Sequence, residues 1–311
     1  MSDAAPVTIG IPCFNSAQWL GAAIESALGQ SWPNVEVIVV DDGSTDRSTE
    51  IARGFGERIR LFAAAHLGAN HARNEVLRRA RGDWIQYLDA DDYLLPEKIA
   101  GQLGETKNGE GCDVIYSPVW IEENSKREAS RMDPDFDLYA RWIAWQLPQT
   151  GGCLWRKSAL EALGGWNETM PCCQEHELYL RAIKAGLRFR HSPTPNAVYR
   201  IWSETTLCRR DPRQVIRIRT GLIDEMRTWM ESRGLWNAAH RRSAGQACFE
   251  MARSLAKCDL AEAGAYYRER KQRGLIGLSG PAAPPAYRLA CRTLGFEWAE
   301  KLASAMRGGQ G

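Results

Sequence analysis

The chain has 311 residues, about a quarter of them charged, a formal net charge of +2 and nine cysteines. That length predicts one large α/β domain, or such a domain with an appendage. No apolar run approaches bilayer length, and a near-neutral balance without a nucleic-acid motif argues against DNA or RNA as a partner. Residues 1–6 have neither a basic start nor an apolar stretch, so no signal peptide is expected. The cysteines are scattered without a C-x-x-C pair, and Cys172 and Cys173 are adjacent, which fits free thiols in a reducing cytoplasm. Charge is uneven along the chain: residues 201–311 hold about 19 Lys and Arg against about 11 Asp and Glu. Such an excess suits an anionic membrane or a phosphorylated lipid, and equally a solvated helical surface.

Residues 7–12 read as a buried strand ending at Pro12, followed by a helix over 17–29. The run 35–40, Val-Glu-Val-Ile-Val-Val, is the strongest strand signal and leads directly into Asp41-Asp42-Gly43-Ser44-Thr45-Asp46. Asp46 is the expected N-cap of a helix over 47–54. A short strand over 58–63, a helix over 69–80 and a strand over 84–88 follow. Beyond these, strands are expected near 113–123, 151–156 and 197–202, and a helix near 175–185. Residues 124–148 read as a loop with a short helix around 137–146. Three amphipathic helices are predicted over 213–232, 236–257 and 260–272, then a Gly/Pro linker over 274–285 and a last helix over 286–306. Six of the twelve tryptophans lie between Trp120 and Trp202. Their faces could stack on sugar rings, and core filling explains any single one equally well.

Strands alternating with helices predict a mostly parallel sheet with helices on both faces. Ligands of such sheets sit beyond the carboxyl ends of the strands. Three predicted strands end in Pro12/Asn15, Asp41/Asp42 and Asp89/Asp91, so chemistry-bearing residues spread over some 80 positions are expected to meet on one edge. An Asp-x-Asp left at a strand end offers hard oxygens to Mg²⁺ or Mn²⁺, usually shared with phosphate. An Asp-rich turn capping a helix with Pro96 in its first turn is the structural alternative.

Five segments in this order, Ile-Pro-Cys-Phe-Asn (11–15), Val-Asp-Asp-Gly-Ser-Thr-Asp (40–46), Ala-Arg-Asn (72–74), Leu-Asp-Ala-Asp-Asp (88–92) and Gln-Glu-His-Glu-Leu-Tyr-Leu-Arg (174–181), resemble the family 2 inverting glycosyltransferases of the GT-A fold. The resemblance covers roughly residues 6–205. It implies a glycosyltransferase domain over 1–208, with a nucleotide half (1–110) and an acceptor half (111–208), and leaves 209–311 as a helical extension. It further implies that Asp42 accepts from the imide of uracil while Asp41 supports the loop. Pro12 and Phe14 would flank the base, with Asn15 and Ala90 beside the nucleotide. Arg73 would grip the diphosphate or the base edge, with a solvated helix cation as the alternative. Asp89 and Asp91 would hold the metal, Asp89 also lying near the ribose. Glu175 takes the position of the general base, usually an Asp in an acidic pair whose first member is here Gln174. Glu177 and His176 are supporting candidates, and Glu175 and Glu177 would also serve as acids at a helix start. Many relatives place a His after Tyr-Arg where this chain has Trp202 after Tyr199-Arg200-Ile201, so a third protein ligand to the metal is not expected there. Arg200, or Arg209 and Arg210, would help neutralise the leaving diphosphate.

The resulting expectation is metal-dependent, inverting transfer of a hexose-type sugar from a UDP-sugar to a hydroxyl of a glycan, plausibly lipid-linked, in the cytoplasm or at the inner face of its membrane. A nucleotidyltransferase would need a Gly-rich basic loop after the first strand, and residues 13–21 offer none. A dehydrogenase would need G-x-G-x-x-G after a strand. A binding module without activity would lack the carboxylates that are present. Tyr287, Leu294, Phe296 and Trp298 beside Arg288, Arg292 and Lys301 suit an interfacial helix, or an ordinary amphipathic one facing a core.

Overall fold

A computed structural model describes residues 4–105, 108–202 and 211–308. The chain opens with β1 (Val7–Cys13), α1 (Leu20–Leu28), β2 (Val35–Asp41), α2 (Ser48–Arg53), β3 (Arg60–Ala63), α3 (Ala69–Arg79) and β4 (Trp84–Tyr87). It continues through β5 (Tyr93–Leu94), α4 (Lys98–Gly104), β6 (Val114–Tyr116), β7 (Trp120–Glu123) and β8 (Lys126–Ala129). After α5 (Leu138–Ile143) come β9 (Cys153–Arg156), α6 (Lys157–Ala162), α7 (Gln174–Lys184), β10 (Phe189–His191) and β11 (Ala197–Ile201). Seven strands form one sheet in the order β10-β6-β9-β4-β1-β2-β3, and four form a second in the order β5-β11-β7-β8.

The large sheet is parallel from β4 through β1 and β2 to β3. The expected mostly parallel sheet has its antiparallel member at β9, which runs against both β4 and β6. Buried strands with helices on both faces must be apolar throughout, and β1 is buried along its whole length. Register then places the chemistry. Cys13 pairs with Asp41 and Gly10 with Tyr87, so β1, β2 and β4 end side by side. The segments leaving those ends carry Phe14 and Asn15, Asp42, and Asp89.

Helix α3 lies directly on β1 because Gly10 has no side chain. A Cβ there would stand 2.1 Å from Cγ1 of Val76. Arg73, one turn before Val76, is thereby brought to the strand ends.

Several local readings change. Asp46 stands one residue outside the cap position, which Arg47 occupies. Its carboxylate instead accepts from the amides of Ser48 (2.9 Å) and Ala17 (3.0 Å). The segment read as a loop from 124 contains β8, an exposed edge strand with the charged pattern Lys-Arg-Glu-Ala that hides it from an apolar-alternation criterion. The long final helix is broken at Gly295 (φ 87°) into two. Of the mid-chain tryptophans, Trp142, Trp155 and Trp166 are buried, as core filling requires.

The chain divides into two compact units, residues 1–132 with 146–204, and 133–145 with 205–311. The expected boundary at 208/209 lies outside the described residues. Residues 133–145, expected in the acceptor half, belong instead to the helical unit. Asp137, N-cap of α5, also meets the buried His240 Nε2 at 2.8 Å, and Arg219 lies 4.5 Å from the ring of Trp145. The helical unit is completed by α8 (Pro212–Glu231), α9 (Ala238–Ala256), α10 (Leu260–Gln272), α11 (Pro285–Leu294) and α12 (Phe296–Gly308). Phe249 and the stacked pair Tyr267–Phe296, centroids 4.5 Å apart, lie in its core.

The seating of α3 is directly testable. Gly10→Ala should lower unfolding stability by about 1–3 kcal/mol through overpacking, read as a shift in the denaturation midpoint. Adding Val76→Ala should recover part of the loss. An unchanged midpoint for Gly10→Ala would show that α3 is not seated through this contact.

Candidate active site

The ends of β1 and β2 are laced together by side chains. Asn15 adopts a left-handed backbone (φ 48°), a conformation asparagine tolerates. Its Oδ1 accepts from the amides of Thr45 (2.8 Å) and Asp46 (3.3 Å), and its own amide donates to Ser44 Oγ at 3.0 Å. Asp41 accepts from the Ser44 amide (3.1 Å) and from the Thr49 hydroxyl. Both residues thus shape the loop.

Asp42 is buried and joins β2 to the start of α3. Its carboxylate accepts from the amides of Leu67 (2.9 Å) and Gly68 (2.8 Å), and its amide donates to the Cys13 carbonyl at 2.8 Å. A carboxylate has about four acceptor positions, and the two amides occupy two of them. Beside it the half-exposed ring of Phe14 lies 4.2 Å from His66, making an aromatic wall. Pro12 is buried within β1, and the neighbouring Cys13 thiol is pushed up to about 11 by burial, which keeps it protonated and non-nucleophilic.

Arg73 is buried rather than solvated. Its Nη2 donates to Asp89 Oδ1 at 2.7 Å, and Nη1 to Asn70 Oδ1 (3.1 Å) and Gln174 Oε1 (3.0 Å). The guanidinium also covers the Trp166 ring at 4.7 Å. Burial works against its charge, but the negative charges of Asp89 and Glu175 outweigh that and hold it protonated. This differs from the outward grip on a diphosphate that a helix-start arginine suggests. The donors are turned inward, onto Asp89 and the side-chain amides of Asn70 and Gln174.

Asp89, Asp91 and Asp92 follow β4, with buried Ala90 between the first two. Burial, and then the charge of Asp89, pushes the Asp91 carboxyl above the ordinary range, although Trp202 Nε1 donates to its Oδ2 at 2.8 Å. Asp92 is pushed up further by burial and by the charges of both neighbours. Its Oδ1 accepts from the Arg200 amide at 2.8 Å, tying β11 to this loop. Arg200 is wedged between the rings of Tyr93 (4.3 Å) and Trp19 (5.0 Å) and donates to the Asp91 carbonyl at 3.3 Å. It braces the acidic loop. Arg209 and Arg210 lie outside the described residues.

The fourth component is the start of α7. Cys173, in the left-handed region (φ 58°), turns the chain into the helix. Gln174 meets Arg73, and Glu175 Oε1 accepts from Thr150 Oγ1 at 2.6 Å. Glu177 forms an i,i+4 pair with Arg181 at 2.7 Å, and the same guanidinium donates to the carbonyls of Leu163 and Gly165. Glu177 therefore anchors the helix. His176 is buried with its ring 6.1 Å from Tyr179, in the surroundings of a core histidine.

Asp89, Gln174 and Arg73 are thus in one web, Asp91 is held at its flank, and Asp42 is joined to it through Gly68 and α3. Among the described residues no three His, Cys, Asp or Glu side chains cage an ion by themselves. Asp89 and Asp91 nevertheless fit a hard divalent cation. Both are carboxylates, and the proton affinity of Asp91 is raised partly by its neighbour's charge, which a cation would relieve. Sequence reasoning missed Trp202 as the partner of Asp91, Thr150 as the partner of Glu175, and Asn70, Trp166 and His66. Apart from Asn70, one helical turn before Arg73, these are long-range contacts, and among them only the indole after Tyr199-Arg200 carried a local signal.

Comparison with known proteins bears on the same residues. The sequence profile of glycosyl transferase family 2 matches residues 8–164, half of the chain. The chain belongs to glycosyl transferase family 2. An uncharacterized glycosyltransferase of Rickettsia felis is 28% identical over 190 residues, 58% of this chain and 32% of that protein. Chondroitin synthase of Escherichia coli is 27% identical over 194 residues, 60% of this chain and 27% of the synthase. The chain spans about a third of the length of the curated relatives it first matches. Among solved structures, S. aureus TarS 1–349 in complex with UDP-GlcNAc has a TM-score of 0.66 at 16% identity, over 98% of this chain and 92% of that one. The mannosyltransferase PcManGT of Pyrobaculum calidifontis, solved with GDP-Man and Mn²⁺, has a TM-score of 0.60 at 17% identity, over 98% and 87%. These likenesses establish the GT-A fold. No described helix is long and apolar enough to cross a membrane.

The web around Arg73 makes a stability prediction. Arg73→Met strands Asp89 beside other acids and should cost about 3 kcal/mol, the low end for a broken buried pair because Asp89 is partly solvated. Arg73→Lys keeps the charge but not the fork, and should recover part of this in chemical denaturation. Equal stability of all three proteins would mean that the guanidinium does not hold this edge together.

Proposed function

We propose that this chain transfers a hexose-type sugar from a UDP-sugar to a hydroxyl of a glycan or lipid-linked glycan, with inversion, assisted by a divalent cation. The observation that carries the reading is the Arg73 web, which draws the acids after β4 and the start of α7 to one edge of the sheet. The remaining acceptor positions of Asp42 suit the imide N–H of uracil, with Phe14 and His66 as a wall for the base. The TarS complex makes UDP-GlcNAc the first donor to test, and the PcManGT complex makes GDP-Man the second. A family 2 domain with free thiols suits work on the cytoplasmic side.

Glu175 is the proposed base. Thr150 holds Oε1, which leaves Oε2 for the acceptor hydroxyl. The carboxylate takes the hydroxyl proton as the acceptor oxygen attacks the anomeric carbon. The bond from that carbon to the β-phosphate oxygen breaks with its electron pair on the nucleoside diphosphate. Asp89 and Asp91 would hold the cation, Mn²⁺ or Mg²⁺, with diphosphate oxygens and water completing its shell. When bound, the ion supplies Lewis acidity that offsets charge on the departing phosphate. Arg73 acts as a positioning residue by fixing Asp89, and Trp202 does the same for Asp91.

Two outcomes test this scheme. Glu175→Gln should lower kcat at least about 100-fold, the usual scale for a lost general base, with UDP binding by calorimetry nearly unchanged. Asp91→Ala should lose both donor-dependent UDP release and its stimulation by Mn²⁺, and a chelator should silence the unaltered chain until metal is restored. Turnover by Glu175→Gln within a few-fold of the parent would remove Glu175 from the role. Tight Mn²⁺-dependent UDP binding with no transfer to any acceptor would point to a binding module instead.

A further inference from the structure

The last two helices expose an apolar stripe that folding does not bury. Leu289, Leu294, Trp298, Leu302 and Met306 are 65%, 54%, 59%, 45% and 77% exposed. On α12 the positions 298, 302 and 306 recur every four residues and so lie along one face. The opposite face, with Phe296 and Ala299, is buried in the helical unit. This is the pattern of an amphipathic helix whose second partner lies outside its own core.

Charge is sorted across the same two faces. Glu300 is buried, accepting from Arg253 Nε and from the Tyr287 hydroxyl, each at 2.6 Å. Glu297 is paired with Arg268 at 2.5 Å. Both acids of α12 are thus neutralised by other helices of the unit. The cations are not. Arg288, Arg292 and Lys301 have no carboxylate partner among the described residues, and Lys301 lies only against the Trp298 ring, 4.7 Å from its centroid. The outward surface therefore combines leucines, an indole, a methionine and unpaired cations.

We infer that the exposed face of α11 and α12 docks on an anionic lipid surface. Apolar side chains enter the headgroup boundary, the indole sits at its level, and the cations meet lipid phosphates. The charge favours this occupant over a second copy of the chain, because an identical patch would set unpaired cations against unpaired cations. The inference is independent of the sugar-transfer reading, since lipid docking needs no donor and no metal. If both hold, docking would bring the chain to the surface where lipid-linked acceptors are presented.

Sedimentation with vesicles tests it. The chain should partition at least about tenfold more onto phosphatidylcholine vesicles containing phosphatidylglycerol than onto pure phosphatidylcholine, and salt should reduce the difference. Trp298→Glu with Leu302→Glu should abolish partition to both. Arg292→Glu with Lys301→Glu should abolish the preference for the anionic lipid, and this second variant decides the matter if the first fails to fold. UDP release from the donor in the presence of a water-soluble acceptor should be unchanged in both variants. A parent chain that stays in solution with anionic vesicles, or variants that bind as the parent does, would overturn the inference. So would a dimer in analytical ultracentrifugation that Trp298→Glu with Leu302→Glu dissociates, because the stripe would then face a second copy.

Discussion

The 2.7 Å contact between Arg73 and Asp89 is the interaction on which this edge of the sheet depends. Asp41, Asp42, Asp89, Asp91, Asp92 and Glu175 come from two strand ends and a helix start. Bringing such acids together is unfavourable unless something of opposite sign is placed among them. Two means are visible. Asp41 and Asp42 are satisfied by amides and a hydroxyl, which stabilise carboxylates without adding charge. Asp89 is held by a full buried cation. Asp91 and Asp92 are pushed upward by burial first and then by the charge of their acidic neighbours. A site with unspent negative charge at Asp91 favours a cation, and it disfavours a diphosphate arriving without one.

Arg73 can serve in this way only because the backbone puts it there. Gly10 admits Val76, α3 settles on β1, and Arg73 comes over the strand ends with Trp166 beneath its guanidinium. Asp42 then fixes the beginning of the same helix by accepting from Gly68. Asp42 and Arg73 are therefore fixed to the same helix. A substitution at Gly10, far from any substrate, would reach the site through this helix.

Much of this was legible in the sequence where the signal is local. Buried strands with acids at their carboxyl ends announce themselves by composition, and a parallel order puts those ends on one edge whatever the strand spacing. The acids after β2 and β4 were readable in this way, whereas Glu175, at a helix start, stood out only through the family resemblance. The direction in which Arg73 points was not, because burial of an arginine depends on Asn70, Gln174 and Trp166, up to about 100 residues away in the chain. Strand β8 was hidden because an exposed edge has no apolar period to detect. The second antiparallel neighbour of β6 and β4 was equally invisible, since strand order is set by packing and not by spacing. Glu177 and His176 show the converse: residue types that suit catalysis were adopted for an ion pair and a core contact.

The two units follow a common electrostatic rule with opposite outcomes. In the α/β unit the cations are turned inward, Arg73 onto Asp89 and Arg181 onto Glu177, and the sign left facing a ligand at Asp91 is negative. In the helical unit the acids of α12 are turned inward onto Arg253 and Arg268, and the sign left on its outer face is positive. Pairing is costly in desolvation, so a fold that completes it for one sign and leaves the other free has not merely tolerated stray charges. The free sign at each place is what the two proposals rest on, a hard cation with its phosphates at Asp91 and anionic headgroups along the last two helices. The basic excess of residues 201–311, ambiguous as composition, is thus in part an excess left unpaired on an apolar face, at Arg288, Arg292 and Lys301.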